Sequence, residues 1–167
     1  MHRFKAGFPA IIAAALLAVL AVAPGRASVS RGQAPPDFTG TALDGRKVTL
    51  SDFRGKHPVV LNFFAEFCPP CKKEFPHLKA LDEKYRARGL RVVAVSLDED
   101  RATAAVVPKQ NKVAFPVIFD PKGGIAEKYG VQAIPHTVVI DRAGKVHTVL
   151  IGLDLEALDR AVEQVMK

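Results

Sequence analysis

The sequence predicts an α/β fold, in which helices cover a mixed central sheet and a β-hairpin precedes it. Three observations carry this reading. Two nearly unbroken apolar runs, Pro58–Phe64 and Arg91–Leu97, have the composition of strands buried on both faces. Between them, Phe75, Leu78, Leu81 and Tyr85 recur at helical spacing, with lysines, acids and arginines opposite. Two further strands around a turn, and a closing helix, follow later in the chain. Strand–helix–strand demands a parallel pair and the later hairpin an antiparallel one, so the sheet is mixed.

At the N-terminus, His2, Arg3 and Lys5 precede a charge-free stretch from Ala6 to Gly25, which exits through small residues at Gly25 and Ala27. These are the parts of a secretory signal, and the uncharged run is also long enough for a membrane anchor. Residues 1–27 are therefore read as a signal peptide or N-terminal anchor, 28–36 as a flexible lead, and 37–167 as one domain working outside the cytoplasm. Phe38–Leu50 reads as a hairpin around Asp44-Gly45, and residues 51–55 as a short capped turn. The helix after Cys68 runs to a stop at Gly89. Ala102–Lys112 is expected to be helical up to a kink near Pro108. Phe115–Asp120 reads as a short strand and Gly124–Tyr129 as a short helix. Thr137–Ile140 and Lys145–Ile151 form a hairpin over residues 141–144. A last helix, capped by Asp154, turns Leu155, Leu158, Val162 and Val165 inward.

Composition narrows function. The whole chain carries 24 basic and 17 acidic residues, a net charge of +7. Without Arg3, Lys5 and Arg26 there remain 21 basic and 17 acidic residues, a net +4 that is ordinary for solubility. No cluster of Lys and Arg is interleaved with aromatics, so nucleic acid is a poor partner. Lys72, Lys73 and Lys79 read as a solvated helix face. Two cysteines cannot build a disulfide scaffold or a four-thiolate zinc site.

The chemistry concentrates at Phe67-Cys68-Pro69-Pro70-Cys71. Cysteines three apart at a strand-to-helix junction share a helix face and can open and close a disulfide without moving the backbone. At the helix N-terminus the macrodipole favours the Cys68 thiolate, the attacking form, while Cys71, one turn deeper, can resolve a mixed disulfide. Pro69 and Pro70 suit a first turn whose N–H groups have no intrahelical partner. The same spacing in an exported protein also fits a fixed structural disulfide.

With these residues in view, the segment Phe63–Pro76 resembles the active-site segment of thioredoxin-fold oxidoreductases, where a proline five residues after the second cysteine kinks the helix, as Pro76 would. Gly130–Thr137 resembles the cis-proline loop of that family. Ala34–Phe38, with Leu43-Asp44-Gly45 and Val48-Thr49-Leu50, resembles the N-terminal hairpin of its TlpA/ResA branch, which shares a pattern with the AhpC/TSA peroxidases. The resemblance spans about residues 34–165 and implies a thioredoxin-like three-layer α/β/α sandwich. It implies that Cys68 and Cys71 form the redox-active disulfide and that no other cofactor is needed. It also implies that Pro135 is cis, leaving the Ile134 backbone free to pair with an extended substrate. Glu74 matches a ResA-like glutamate that exchanges a proton with Cys71; the alternative is a solvent-facing acid beside Lys73. Exchanging Glu74 for Gln is expected to alter the pH dependence of reduction and to leave the melting temperature nearly unchanged. The resemblance further implies electrons from a DsbD- or CcdA-like membrane transporter. Its substrates would be exported proteins, with apocytochrome c and copper-site cysteines as candidates.

The departures from that pattern are specific. Phe64 and Phe67 stand where the branch has tryptophans, and Asn62 stands where thioredoxins carry a buried aspartate. His136 follows the proline where threonine is common; it is read either as a surface residue without a role or, when protonated, as support for the Cys68 thiolate. Glu66, His57, His77 and His147 receive no role. Two rival functions use the same residues differently. A thiol peroxidase needs a threonine where Ala65 stands. A copper-delivery protein would use Cys68, Cys71 and a histidine as soft and borderline ligands for Cu(I).

Overall fold

The computed structural model describes residues 29–167. The reading of residues 1–27 as a signal or anchor lies outside them. A five-stranded sheet forms the centre, in the order β5–β4–β3–β6–β7. Its strands are β3 (Val59–Phe64), β4 (Arg91–Ser96), β5 (Val117–Phe119), β6 (His136–Ile140) and β7 (Val146–Ile151). Strand β4 runs parallel to β3 and β5, whereas β6 is antiparallel to β3 and β7. All six residues of β3 are buried, which is why its sequence does not alternate.

Alternation on the central strands sorts the core into two layers. Val60 and Phe64 of β3, Val92 and Ala94 of β4, and Val139 of β6 face one side. There they meet α1 (Pro69–Tyr85), α3 (Val106–Asn111) and α5 (Leu155–Val165) through Phe75, Leu78, Val107, Leu158 and Val162. Leu61 and Phe63 face the other side with Val95, Val138 and Ile140. They are covered by a small two-stranded sheet, β1 (Thr39–Thr41) with β2 (Lys47–Thr49), and by α4 (Gly124–Lys128). Tyr129 completes that layer, its ring tilted against Phe63 at 5.4 Å and edge-on to Phe38 at 6.0 Å.

The hairpin lies tight against the sheet edge. Leu43 N–H donates to the Val117 carbonyl at 2.8 Å, and a Cβ on Gly40 would stand 2.4 Å from Ile118 Cγ2. Helix α1 begins with Pro69 and Pro70, tolerates Pro76 internally, and tightens into a 3₁₀ turn over Arg86–Arg88. Gly89 then stops it in the left-handed conformation, φ 105°.

Two expectations need correction. The Ala102–Lys112 helix breaks before Pro108, not at it. Helix α2 (Arg101–Ala104) ends at Ala105, and Pro108 sits in the first turn of α3, where its missing N–H costs no intrahelical bond. The lead before the domain is also partly tied down. Gly32 N–H donates to the Val146 carbonyl, Val146 N–H donates to the Gln33 carbonyl, and the Tyr129 hydroxyl donates to the Pro36 carbonyl at 2.7 Å. These bonds lash residues 32–36 to the β7 edge and to the aromatic layer.

Candidate active site

The site forms where β3 ends and α1 begins. Cys68 is the N-cap of α1 and is joined to Cys71, with an S–S distance of 2.03 Å and Cα atoms 5.3 Å apart. Cys68 is 5% exposed and Cys71 is fully buried, so any partner must meet Cys68 first. Cys71 N–H points at Cys68 Sγ across 3.2 Å, whereas Lys72 N–H is used by the Cys68 carbonyl. Pro69 and Pro70 contribute no donors, so the helix terminus offers the sulfur one backbone N–H.

The loop that delivers Cys68 is held from below. Glu66 N–H donates to Asp98 Oδ1 at 2.9 Å, and the other oxygen of this buried carboxylate accepts the Ser96 hydroxyl at 2.8 Å. Cys68 N–H donates to the Ala65 carbonyl. The Glu66 side chain pairs with Lys72 at 2.5 Å on the surface. Phe64 is buried edge-on against Phe75 at 4.5 Å, while Phe67 is 74% exposed beside Cys68.

Glu74, one helical turn beyond Cys71, is buried rather than solvent-facing. Its Oε2 accepts a hydrogen bond from Asn62 Nδ2 at 2.8 Å, and its Oε1 accepts one from the Thr137 hydroxyl at 3.1 Å. The same Asn62 amide group donates to Thr137 Oγ1 at 2.8 Å. Burial pushes the Glu74 carboxyl above the usual carboxylate range, and the two donors partly oppose this. A carboxyl so placed holds its proton to higher pH than an exposed glutamate does.

Opposite the disulfide's helix stands the loop before β6. The Ile134–Pro135 peptide is cis, and the Pro135 carbonyl accepts Gly152 N–H at 2.8 Å. Pro135 is buried and Ile134 half-buried.

His136 requires a correction. It is 4% exposed, its ring set edge-on to Phe63 at 5.8 Å. The register pairs Asn62 with Thr137 and Phe63 with His136, so the imidazole occupies the sheet face opposite Glu74. Burial holds it below the usual histidine range, and neither ring nitrogen has a partner among the described residues. Neither a surface residue nor a cationic support for Cys68 describes it, and it is not the third ligand that a copper site on Cys68 and Cys71 requires. Among the described residues no three His, Cys, Asp or Glu side chains gather as a metal site. His57, His77 and His147 bond to the Gly89 carbonyl, Asp159 and Gln164, respectively.

Asn62, Thr137 and Asp98 received no site role from sequence, although Asn62 stood out at the position of the thioredoxin aspartate and as the one amide in an otherwise apolar strand.

Comparison with known proteins agrees with this geometry. Residues 31–149 match the AhpC/TSA family. The thiol-disulfide oxidoreductase ResA of Bacillus subtilis (strain 168) is 35% identical over 138 residues, 83% of this chain and 76% of that protein. ResA of Bacillus thuringiensis subsp. konkukian is 40% identical over 115 residues; the match spans 69% of this chain and 66% of the relative's length. Among solved structures, a Chlorobium tepidum protein described as the thiol:disulfide interchange protein DsbE superposes with a TM-score of 0.78. It has 37% identity, and the match covers 84% of this chain and all of that one. A thiol:disulfide interchange protein of the thioredoxin family from Chlorobium tepidum TLS gives 0.73 at 27% identity, with the same coverage. A Cys68–Cys71 disulfide at the head of a helix, on a mixed sheet with an N-terminal hairpin, thus occurs in a chain that belongs to the AhpC/TSA family, as a ResA-like thiol-disulfide oxidoreductase of thioredoxin fold.

Proposed function

We propose that the protein is an exported reductase of protein disulfides. The observation that carries the reading is the buried Glu74 carboxyl one turn beyond Cys71, with its two hydrogen-bond donors. In the reduced protein, the Cys68 thiolate attacks one sulfur of a substrate disulfide. A Cys68–substrate bond forms, and the substrate's other sulfur leaves as a thiolate that takes a proton. Cys71 passes its proton to Glu74 and attacks Cys68 Sγ. The mixed disulfide breaks, the Cys68–Cys71 bond forms, and the substrate leaves with two electrons and both thiols. Glu74 suits that step, because a thiol must lose its proton before it can resolve, and Glu74 is a buried carboxyl three residues on in the same helix.

The Ile134 backbone before Pro135 would pair with an extended substrate segment, and exposed Phe67 would cover its apolar side chains. Apocytochrome c and copper-site proteins are the candidate targets. A membrane thiol carrier of DsbD or CcdA type would re-reduce the dithiol, and no cofactor is required. The test is trapping in an exporting host. Cys71→Ser is expected to accumulate mixed disulfides with exported proteins, while Cys68→Ser traps none. Equal trapping by both would overturn the assignment of the attacking sulfur.

A further inference from the structure

We infer that Asn62 and Thr137 are positioning residues that set the proton affinity of Glu74 by donating to both of its carboxylate oxygens. The inference rests on the reading of Glu74 given above and goes one layer beneath it. The three side chains come from three elements: Asn62 from the central strand, Thr137 from its antiparallel neighbour in direct register, and Glu74 from the helix above. Asn62 and Thr137 are as buried as Glu74, with 0% and 1% exposure. Their hydrogen bonds close a triangle in which every proton has a direction. Asn62 Nδ2 carries two hydrogens, one to Glu74 Oε2 and one to Thr137 Oγ1. The Thr137 hydroxyl, having accepted from Asn62, donates onward to Glu74 Oε1. Both carboxylate oxygens receive a donor, and neither neighbour offers an acceptor. The arrangement is therefore built for the ionised carboxylate.

One atom does not fit that state. Asn62 Oδ1 is buried and has no hydrogen-bond partner among the described residues. As an acceptor without a hydrogen it offers nothing to the carboxylate, and only the Nδ2 side of the amide meets Glu74. An aspartate at position 62 would oppose the ionised state, because two carboxyls 2.8 Å apart cannot both ionise.

Among the described residues the titratable groups near Glu74 are few. Cys71 lies one turn before it in α1 and Cys68 caps the helix beyond that, and His77 lies on the following turn, bound to Asp159 of α5 at 2.9 Å. The β3 and β6 residues that meet Glu74 contribute only the uncharged Asn62 and Thr137.

The test is a carboxyl ¹³C NMR titration of Glu74 in the oxidised protein, where the cysteines do not titrate, with the signal assigned by Glu74→Gln. Thr137→Val and Asn62→Ala each remove a donor and are expected to raise the midpoint by about one unit or more, the scale of one lost charge-assisted hydrogen bond. Thr137→Ser should restore it. The Asn62 side-chain amide resonances should shift with the wild-type Glu74 midpoint. An unmoved midpoint in Thr137→Val, or amide resonances that stay fixed through the titration, would overturn the inference. If Asn62→Ala fails to fold, the Thr137→Val and Thr137→Ser pair still decides it. The pH profile of insulin reduction separates this inference from the underlying reading. A midpoint that moves while the kinetic profile of Thr137→Val stays at wild type supports the positioning and removes Glu74 from the exchange step.

Discussion

Replacing Glu74 with glutamine should make the protein more stable, by an amount that grows with pH. The folded carboxyl is raised above its ordinary value of 4.5 by burial. Between that value and the folded midpoint, the native state binds more protons than the unfolded chain. Stability contributed by the neutral buried carboxyl is therefore complete below about pH 4.5 and lost as pH rises through the folded midpoint. The substituted glutamine has no such dependence, and its amide fits the triangle if the Thr137 hydroxyl turns to accept from it. The difference between variant and wild type should widen by at most about 1.4 kcal/mol per pH unit inside that window and be constant above it. For a domain of this size, about 4 °C in melting temperature accompanies each kcal/mol, so the two curves should diverge by at most about 6 °C per pH unit. The expectation that Glu74→Gln leaves the melting temperature unchanged thus holds only where the wild-type carboxyl is already protonated. Melting followed by circular dichroism from about pH 4 to 8 measures this, and other titrating groups cancel in the difference. Parallel curves across the range would refute the argument, since a carboxyl that titrates normally does not penalise the fold.

Other perturbations test other parts of the molecule. His136→Leu should flatten the acid limb of stability. The folded imidazole lies below 6.5, so the unfolded chain binds the extra proton and wild-type stability falls as pH drops below about 6.5, by up to about 1.4 kcal/mol per unit; unchanged melting at about pH 5 relative to pH 7 would contradict it. Gly40→Ala should cost about 1–3 kcal/mol by overpacking against Ile118, and Ile118→Ala should recover part of that loss in a double-mutant cycle of chemical denaturation; strict additivity would show that the hairpin gives way instead. With one backbone donor at Cys68, the dithiol should lie on the reducing side of about −200 mV in a glutathione titration read by thiol alkylation, and a value near about −120 mV would make the protein an oxidase.

The parts of the fold that were legible share a cause. Where burial is two-sided, as in Val59–Phe64, or confined to one helix stripe, as in Phe75–Tyr85, the apolar pattern is itself the consequence of the packing. The break before Pro108 was misplaced because a proline in a first turn and a proline in a helix interior look alike in sequence. The disulfide was legible because spacing along one helix is local, whereas Glu74 was singled out by the family resemblance and its burial by the sheet was not legible. His136 was misread because its burial comes from Phe63 on another strand, at a separation that no local pattern encodes. Asn62 could be noticed as the lone amide of an apolar strand, but its partners at positions 74 and 137 are set by register.

The bond from Asp98 to the Glu66 backbone fastens the residues before Cys68 to the end of β4, while the first turn of α1 holds the residues after it. Cys68 is therefore located by the sheet as much as by the helix. The outward face of α1, with Lys73 and Lys79, takes no part in holding that loop, so substitutions there leave the disulfide's mounting intact.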